Sequence, residues 1–135
     1  MIRYLIDTDT ASYFLKKRFP ALTVRMKAAM VAGEAVLSVV TRAELRYGQR
    51  LMDGNARLAR LLDAFLEEIP SLDWTAEAAE HYARLAADQK RQGRLIGTLD
   101  TQIAAHALAE DLILVTNNER HFGGIAGLQI ENWTV

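Results

Sequence analysis

Short apolar runs alternate along this chain with longer stretches in which apolar residues recur at helical spacing. Tyr4-Leu5-Ile6, Ala35 to Val39 and Leu112-Ile113-Leu114-Val115 have the length and flanks of buried strands. Between them the pattern predicts helices. Thr8 to Arg18 is the first, with Thr8 or Asp9 as its cap and Lys16, Lys17 and Arg18 at its C-terminal end. Pro20 restarts the chain, and Ala21 to Ala32 is a second helix stopped by Gly33. Thr41-Arg42-Ala43-Glu44 reads as a capping box that starts a helix running to about Met52. After the break at Asp53-Gly54-Asn55, Ala56 to Glu68 carries Leu58, Leu61, Leu62, Phe65 and Leu66 on one stripe. Ile69 to Trp74, with Pro70, suits a short edge strand.

A long helix opens at Thr75-Ala76-Glu77-Ala78, reaches about Gln92 and ends at Gly93. Thr98 to Glu110 is the next, with Thr98 as its cap. Glu119 to Phe122 allows one helical turn, Gly123, Gly124 and Gly127 a flexible loop, and Leu128 to Trp133 a last strand. Strands alternating with helices, often paired helices, predict an α/β fold with a short, mostly parallel central sheet flanked by helices.

Three acids stand out against this pattern. Asp7 follows the first strand directly, and in open α/β sheets ligands bind outside the carboxyl ends of the strands. Stepping about 100° per residue around the helix from Thr41 puts Glu44 among Leu45, Tyr47, Gly48, Leu51 and Met52, with Arg42, Arg46 and Arg50 opposite. The same construction puts Asp100 at the centre of a face made by Ile103, Ala104, Ala107 and Leu108, and turns His106 toward a surface or boundary position. A carboxylate on an apolar stripe is costly without a partner. No lysine lies in the strands. Clustered carboxylates raise one another's pKa values unless a cation neutralises them. Oxygen-only ligands with few histidines suit Mg²⁺ or Mn²⁺. Each acid alone also has an ordinary role as a cap or turn residue.

The segment Thr116-Asn117-Asn118-Glu119 forms a fourth strand-to-helix junction that adds a hydroxyl and amides. His81 reads as structural, and His121 lacks a second histidine at zinc-ligand spacing. The arginine stripe on the Thr41 helix reads as a solvated face. The loop at Lys90, Arg91 and Arg94, just before the Asp100 helix, is the better candidate for contact with a nucleic-acid phosphate.

Composition narrows the classes further. A chain of 135 residues fits one domain spanning residues 1–135. With 50% hydrophobic residues it can bury a sizeable core, and a net charge of −1 means that a nucleic-acid partner must be held by a local patch. The absence of cysteine excludes disulfides, thiolate catalysis and zinc–thiolate sites. No apolar run approaches the roughly 18 residues of a membrane span. The N-terminus lacks the form of a signal peptide, so a soluble cytoplasmic protein is expected.

These residues resemble a known family. Tyr4-Leu5-Ile6-Asp7-Thr8 is similar to the opening strand and first acid of PIN-domain ribonucleases. Ser38 to Gly48 resembles their second-acid segment, Asp100 to Ala107 their third-acid helix, and Leu114 to Phe122 the segment that closes the site. Ile130-Glu131-Asn132-Trp133 resembles the usual ending. Among these proteins the chain is most similar to the VapC toxins of toxin–antitoxin pairs. The resemblance implies a PIN-like fold and Mg²⁺-dependent cleavage of RNA, commonly tRNA or rRNA. By matching position, Asp7 and Asp100 would be the principal metal ligands and Glu44 would support them, with Thr116 and Asn118 positioning water or phosphate. Asn118 stands where many PIN domains carry a fourth acid, with Glu119 beside it. The resemblance further implies a cognate VapB-type antitoxin whose C-terminal segment lies in a groove near the first helices, and a homodimer.

Two other classes share features of the chain. Asp7-Thr8-Asp9 is similar to the opening of haloacid-dehalogenase-type phosphatases, where the first Asp is a nucleophile, but no Asp-Asp motif appears late in the chain. A non-catalytic PIN or receiver-like binding module is the third class. A receiver expects a lysine after its last strand, and none follows Leu128.

Overall fold

Strand β1 (Tyr4–Ile6) lies at the centre of the sheet, where both faces are covered and a continuous apolar run is required. The computed structural model describes residues 1–135. Helices α1 (Thr8–Leu15) and α2 (Pro20–Val31) lead to β2 (Ala35–Ser38), and α3 (Val39–Leu51) and α4 (Ala56–Glu68) lead on to β3 (Ser71–Leu72). Helices α5 (Ala76–Gln92) and α6 (Thr98–Ala109) return the chain to β4 (Ile113–Val115), and α7 (Glu119–Phe122) precedes β5 (Ile130–Glu131). The five strands are all parallel, in the order β3-β2-β1-β4-β5. Tyr4 stands opposite Ala35 and Ile113, and Leu5 opposite Val36 and Leu114.

The alternation of side chains along these strands splits the core in two. Tyr4, Ile6, Ala35, Leu37 and Val115 face α2 and α4, where Leu22, Met26, Leu62 and Phe65 cover them and Trp133 closes the edge. Leu5, Val36 and Leu114 face the other way, onto Leu85 of α5, Ile103, Ala104 and Ala107 of α6, and Phe122 of α7. Successive strands run outward from β1 through β2 to β3, and the chain then jumps back to β4 beside β1. The carboxyl ends of β1 and β4 therefore flank a topological switch point, the usual place for a ligand in such sheets.

The expected α/β architecture is observed, with differences at element ends. Ser38, not Thr41, caps α3: its hydroxyl accepts a hydrogen bond from the Val40 amide at 3.0 Å, so the helix starts two residues early and no capping box forms. Asp7 itself caps α1, in place of Thr8 or Asp9. The same helix ends at Leu15 rather than Arg18, because the chain turns at Lys17 (φ 54°). Gly97, at φ 105°, precedes α6, and Thr98 is already helical. The outer strands β3 and β5 shrink to two residues each, as edge strands commonly do. No helix is long and apolar enough to cross a membrane.

Candidate active site

Asp7 sits where β1 gives way to α1, and it is buried, with only 4% of its surface exposed. One carboxylate oxygen accepts the Thr10 amide at 2.8 Å, satisfying an orphan N–H of the first helical turn. Burial pushes its pKa up to about 6, against the opposing pull of hydrogen bonds from Thr116 and Thr10. Thr116, fully buried at the end of β4, thus reaches Asp7 across the switch point, and its hydroxyl oxygen also accepts the Asn118 amide at 2.9 Å. Asn118 opens α7.

Glu44 is half-buried on α3. Freed from any capping role, it accepts a hydrogen bond from the Thr8 hydroxyl at 2.6 Å, and Thr8 lies 3.1 Å from the Thr41 hydroxyl. Its pKa is raised by burial first, with the Thr8 hydrogen bond opposing, and then by the negative charges of Asp100 and Asp9. The apolar stripe beside Glu44 is not core. Tyr47, Leu51 and Met52 are exposed and give α3 an open face. Glu44 therefore stands at the mouth of a groove rather than inside a packed interior, a correction to the helical-wheel reading.

Asp100 lies in the first turn of α6, partly exposed. His121 of α7 approaches it, Nδ1 to Oδ2, at 3.2 Å. Sequence spacing gave no sign of this pair, since it depends on β4 delivering α7 beside the start of α6. Glu119 is exposed at the start of α7.

No lysine or arginine pairs with Asp7, Glu44 or Asp100. The donor set is all oxygen, with one deeply buried carboxylate and a second whose charge is opposed by its neighbours. No group of three or more acidic or histidine side chains is arranged to hold a metal by itself. Carboxylate oxygens are the donors that suit Mg²⁺, which keeps several waters and uses one or two carboxylates together with substrate phosphates. Asp7 and Asp100 are the residues that could hold such an ion.

The remaining candidates are scattered. Lys90 and Arg91 belong to the last turn of α5, and Arg91 pairs with Asp88 at 3.3 Å. Arg94 leaves Gly93 (φ 66°) in the loop before α6. Arg46 is not simply solvated but bonds Asp63 of α4 at 2.7 Å. His106, expected at the surface, is completely buried: its Nδ1 lies 2.8 Å from the Ser38 hydroxyl and its ring meets Trp74 edge-on at 5.5 Å. Burial lowers its pKa. The wheel failed there because α6 is covered on nearly every side and has no single buried face.

A groove of about 530 Å³ runs from Thr8, Asp9 and Glu44 between α1, α3 and α4, past Leu45, Met52 and Leu61 to Lys16, Lys17 and Arg57. Its acidic end adjoins the carboxylates and its other end is basic.

A model of the PIN domain matches residues 4–128. Ribonuclease VapC2 of Haemophilus influenzae is 37% identical over 133 residues, covering 98% of this chain and 99% of the relative. The chain belongs to the PIN-domain family, among the VapC proteins. The tRNA(fMet)-specific endonuclease VapC of Shigella flexneri is 36% identical over 134 residues, covering 99% of this chain and 100% of that protein. Among solved structures, the DNA-bound VapBC complex of Salmonella typhimurium holds a chain that matches with a TM-score of 0.91 at 30% identity, over 98% of this chain and 99% of that one. The PIN match runs from β1 to the segment before β5, so the chain is a PIN domain rather than a haloacid-dehalogenase-type phosphatase or a receiver.

Proposed function

We propose that this protein is a divalent-metal-dependent endoribonuclease, the toxin of a VapBC-type pair, built as a single PIN domain over residues 1–135. The observation that carries the reading is the buried, unneutralised Asp7 at the sheet's switch point, with Glu44 and Asp100 brought in from α3 and α6. Relatives of nearly equal length are named ribonucleases.

Asp7 and Asp100 would hold the cation, Mg²⁺ or Mn²⁺. When bound, the ion supplies positive charge to the phosphate oxygens and lowers the pKa of water. Thr116 fixes the Asp7 carboxylate by its hydroxyl. Glu44, its pKa raised by burial, orients the attacking water and takes its proton. Asn118 and Thr116 line the approach of the phosphate at the end of β4. The water oxygen bonds to phosphorus in line, the bond to the 3′ oxygen breaks, and the products carry a 5′-phosphate and a 3′-hydroxyl. A tRNA or rRNA is the proposed substrate.

The groove between α1, α3 and α4 is the proposed seat of a VapB-type antitoxin segment, its apolar side chains against Leu45 and Leu61 and a basic side chain at Asp9 and Glu44. A homodimer belongs to the same reading. The experiment is incubation of antitoxin-free protein with total cellular RNA in Mg²⁺ or in EDTA, with the product ends sequenced. Discrete Mg²⁺-dependent cuts with 5′-phosphate ends are expected. Intact RNA with folded, Mg²⁺-supplied protein rejects the activity, and unchanged cleavage inside a confirmed antitoxin complex rejects the blocking groove.

A further inference from the structure

A second cavity, of about 260 Å³, opens between the end of α5, the loop to α6, and α7. Arg94 enters it from the loop and Arg120 from α7, and neither pairs with a carboxylate. His121 forms the wall toward the acids, since the same ring touches Asp100 at 3.2 Å. The cavity is thus one side chain away from the proposed metal site.

Its walls are held in place. The Thr101 hydroxyl donates to the Gly97 carbonyl at 2.7 Å and lies 3.1 Å from the Gln89 amide, joining the end of α5 to the start of α6. The Arg94 guanidinium lies against this loop, with Nη2 3.1 Å from where a side chain at Gly124 would begin. Two like charges converging from separate elements repel unless an anion lies between them. The size of the cavity suits a phosphate and its sugar. Histidine aside, no aromatic ring lines it, so it offers no platform for stacking a base.

We infer that this cavity is a phosphate subsite, in which Arg94 and Arg120 grip the RNA backbone at a phosphate flanking the one to be cut. The inference rests on the endoribonuclease reading and deepens it: the subsite positions the strand and reads no sequence. It narrows the basic segment Lys90–Arg94 to its last residue and adds Arg120, which the sequence pattern did not single out.

The test is fluorescence anisotropy of antitoxin-free protein on labelled single-stranded RNA, in EDTA so that nothing is cut, across a salt series. R94A and R120A are each expected to weaken binding about tenfold. Each should also flatten the slope of log affinity against log salt by about 0.7, one single-strand phosphate contact. R60A, an equal charge loss on the opposite sheet face, is expected to bind as wild type does, and R120K to restore the slope. The loss should be the same for RNAs of different sequence. Wild-type affinity and slope in both variants, or a loss confined to one sequence, overturns the subsite. Cleavage in Mg²⁺ is read in parallel: wild-type protein that binds through these arginines but never cuts fails the nuclease reading alone, whereas cutting with unchanged binding in R94A and R120A fails the subsite alone.

Discussion

Asp7 combines two roles that substitution can separate, a helix cap and a buried charge. Its pKa of about 6 in the folded protein, against 3.8 when unperturbed, reflects the cost of burying the ionised form. Below pH 3.8 the carboxyl is protonated in both states and contributes nothing. Between the two values the folded protein holds a proton that the unfolded chain has released, so stability falls as pH rises. Above about pH 6 the cost levels off, at about 3 kcal/mol for a gap of this size. Asparagine removes the charge but keeps an oxygen for the Thr10 amide; alanine removes both and forfeits about 1 kcal/mol of capping. The assay is urea denaturation in EDTA between pH 4 and pH 8. The stability of D7N relative to wild type should rise by up to about 3 kcal/mol over that range, with D7A about 1 kcal/mol below D7N throughout. Saturating Mg²⁺ should stabilise wild type by about 3 kcal/mol at a hundredfold excess over its Kd and leave D7N unmoved. A D7N–wild-type difference that does not change with pH would refute the reasoning, because Asp7 would then titrate as an exposed carboxylate.

Three further outcomes follow from the packing and the charges. W133A should lose about 3–5 kcal/mol in the same assay, since Trp133 is 1% exposed and stacks edge-on against Tyr4 at 4.9 Å; a loss below about 1 kcal/mol would contradict its place in the core. G97A places a side chain at φ 105° just before Asp100, and should cost about 1–3 kcal/mol and lower kcat; wild-type stability would show that the turn is not constrained as described. The apparent Mg²⁺ affinity of antitoxin-free protein should fall on the acid side with a limb above the ordinary carboxylate range, because burial raises Asp7 in the metal-free protein; a limb near pH 4 would exclude Asp7 as the group that must be ionised.

Much of this arrangement is legible before any coordinates. Tyr4-Leu5-Ile6 followed by an acid marks a buried strand with a carboxylate at its end, and the wheel of each helix sets Glu44 or Asp100 on an apolar stripe, although for Glu44 that stripe is the open face of α3. What stayed hidden depends on which of two local solutions the tertiary structure selects. Thr41 and Glu44 have capping-box spacing, but Ser38 is also a competent cap at the end of β2, and its use frees Glu44 for Thr8. His106 falls off the apolar face of α6 on paper; in the fold α6 is enclosed on nearly all sides, so even its polar positions are buried. The pairing of His121 with Asp100, and the shared cavity lined by Arg94 and Arg120, link segments that become neighbours only after β4 docks beside β1.

The most direct measurement is calorimetric titration of Mg²⁺ into antitoxin-free wild type, D7N and D100N, with single-turnover RNA cleavage followed on the same samples. Wild type should bind Mg²⁺ and cleave, and the two folded variants should lose both. Undiminished Mg²⁺ binding and wild-type cleavage in D100N would contradict the assignment of these carboxylates as the metal site.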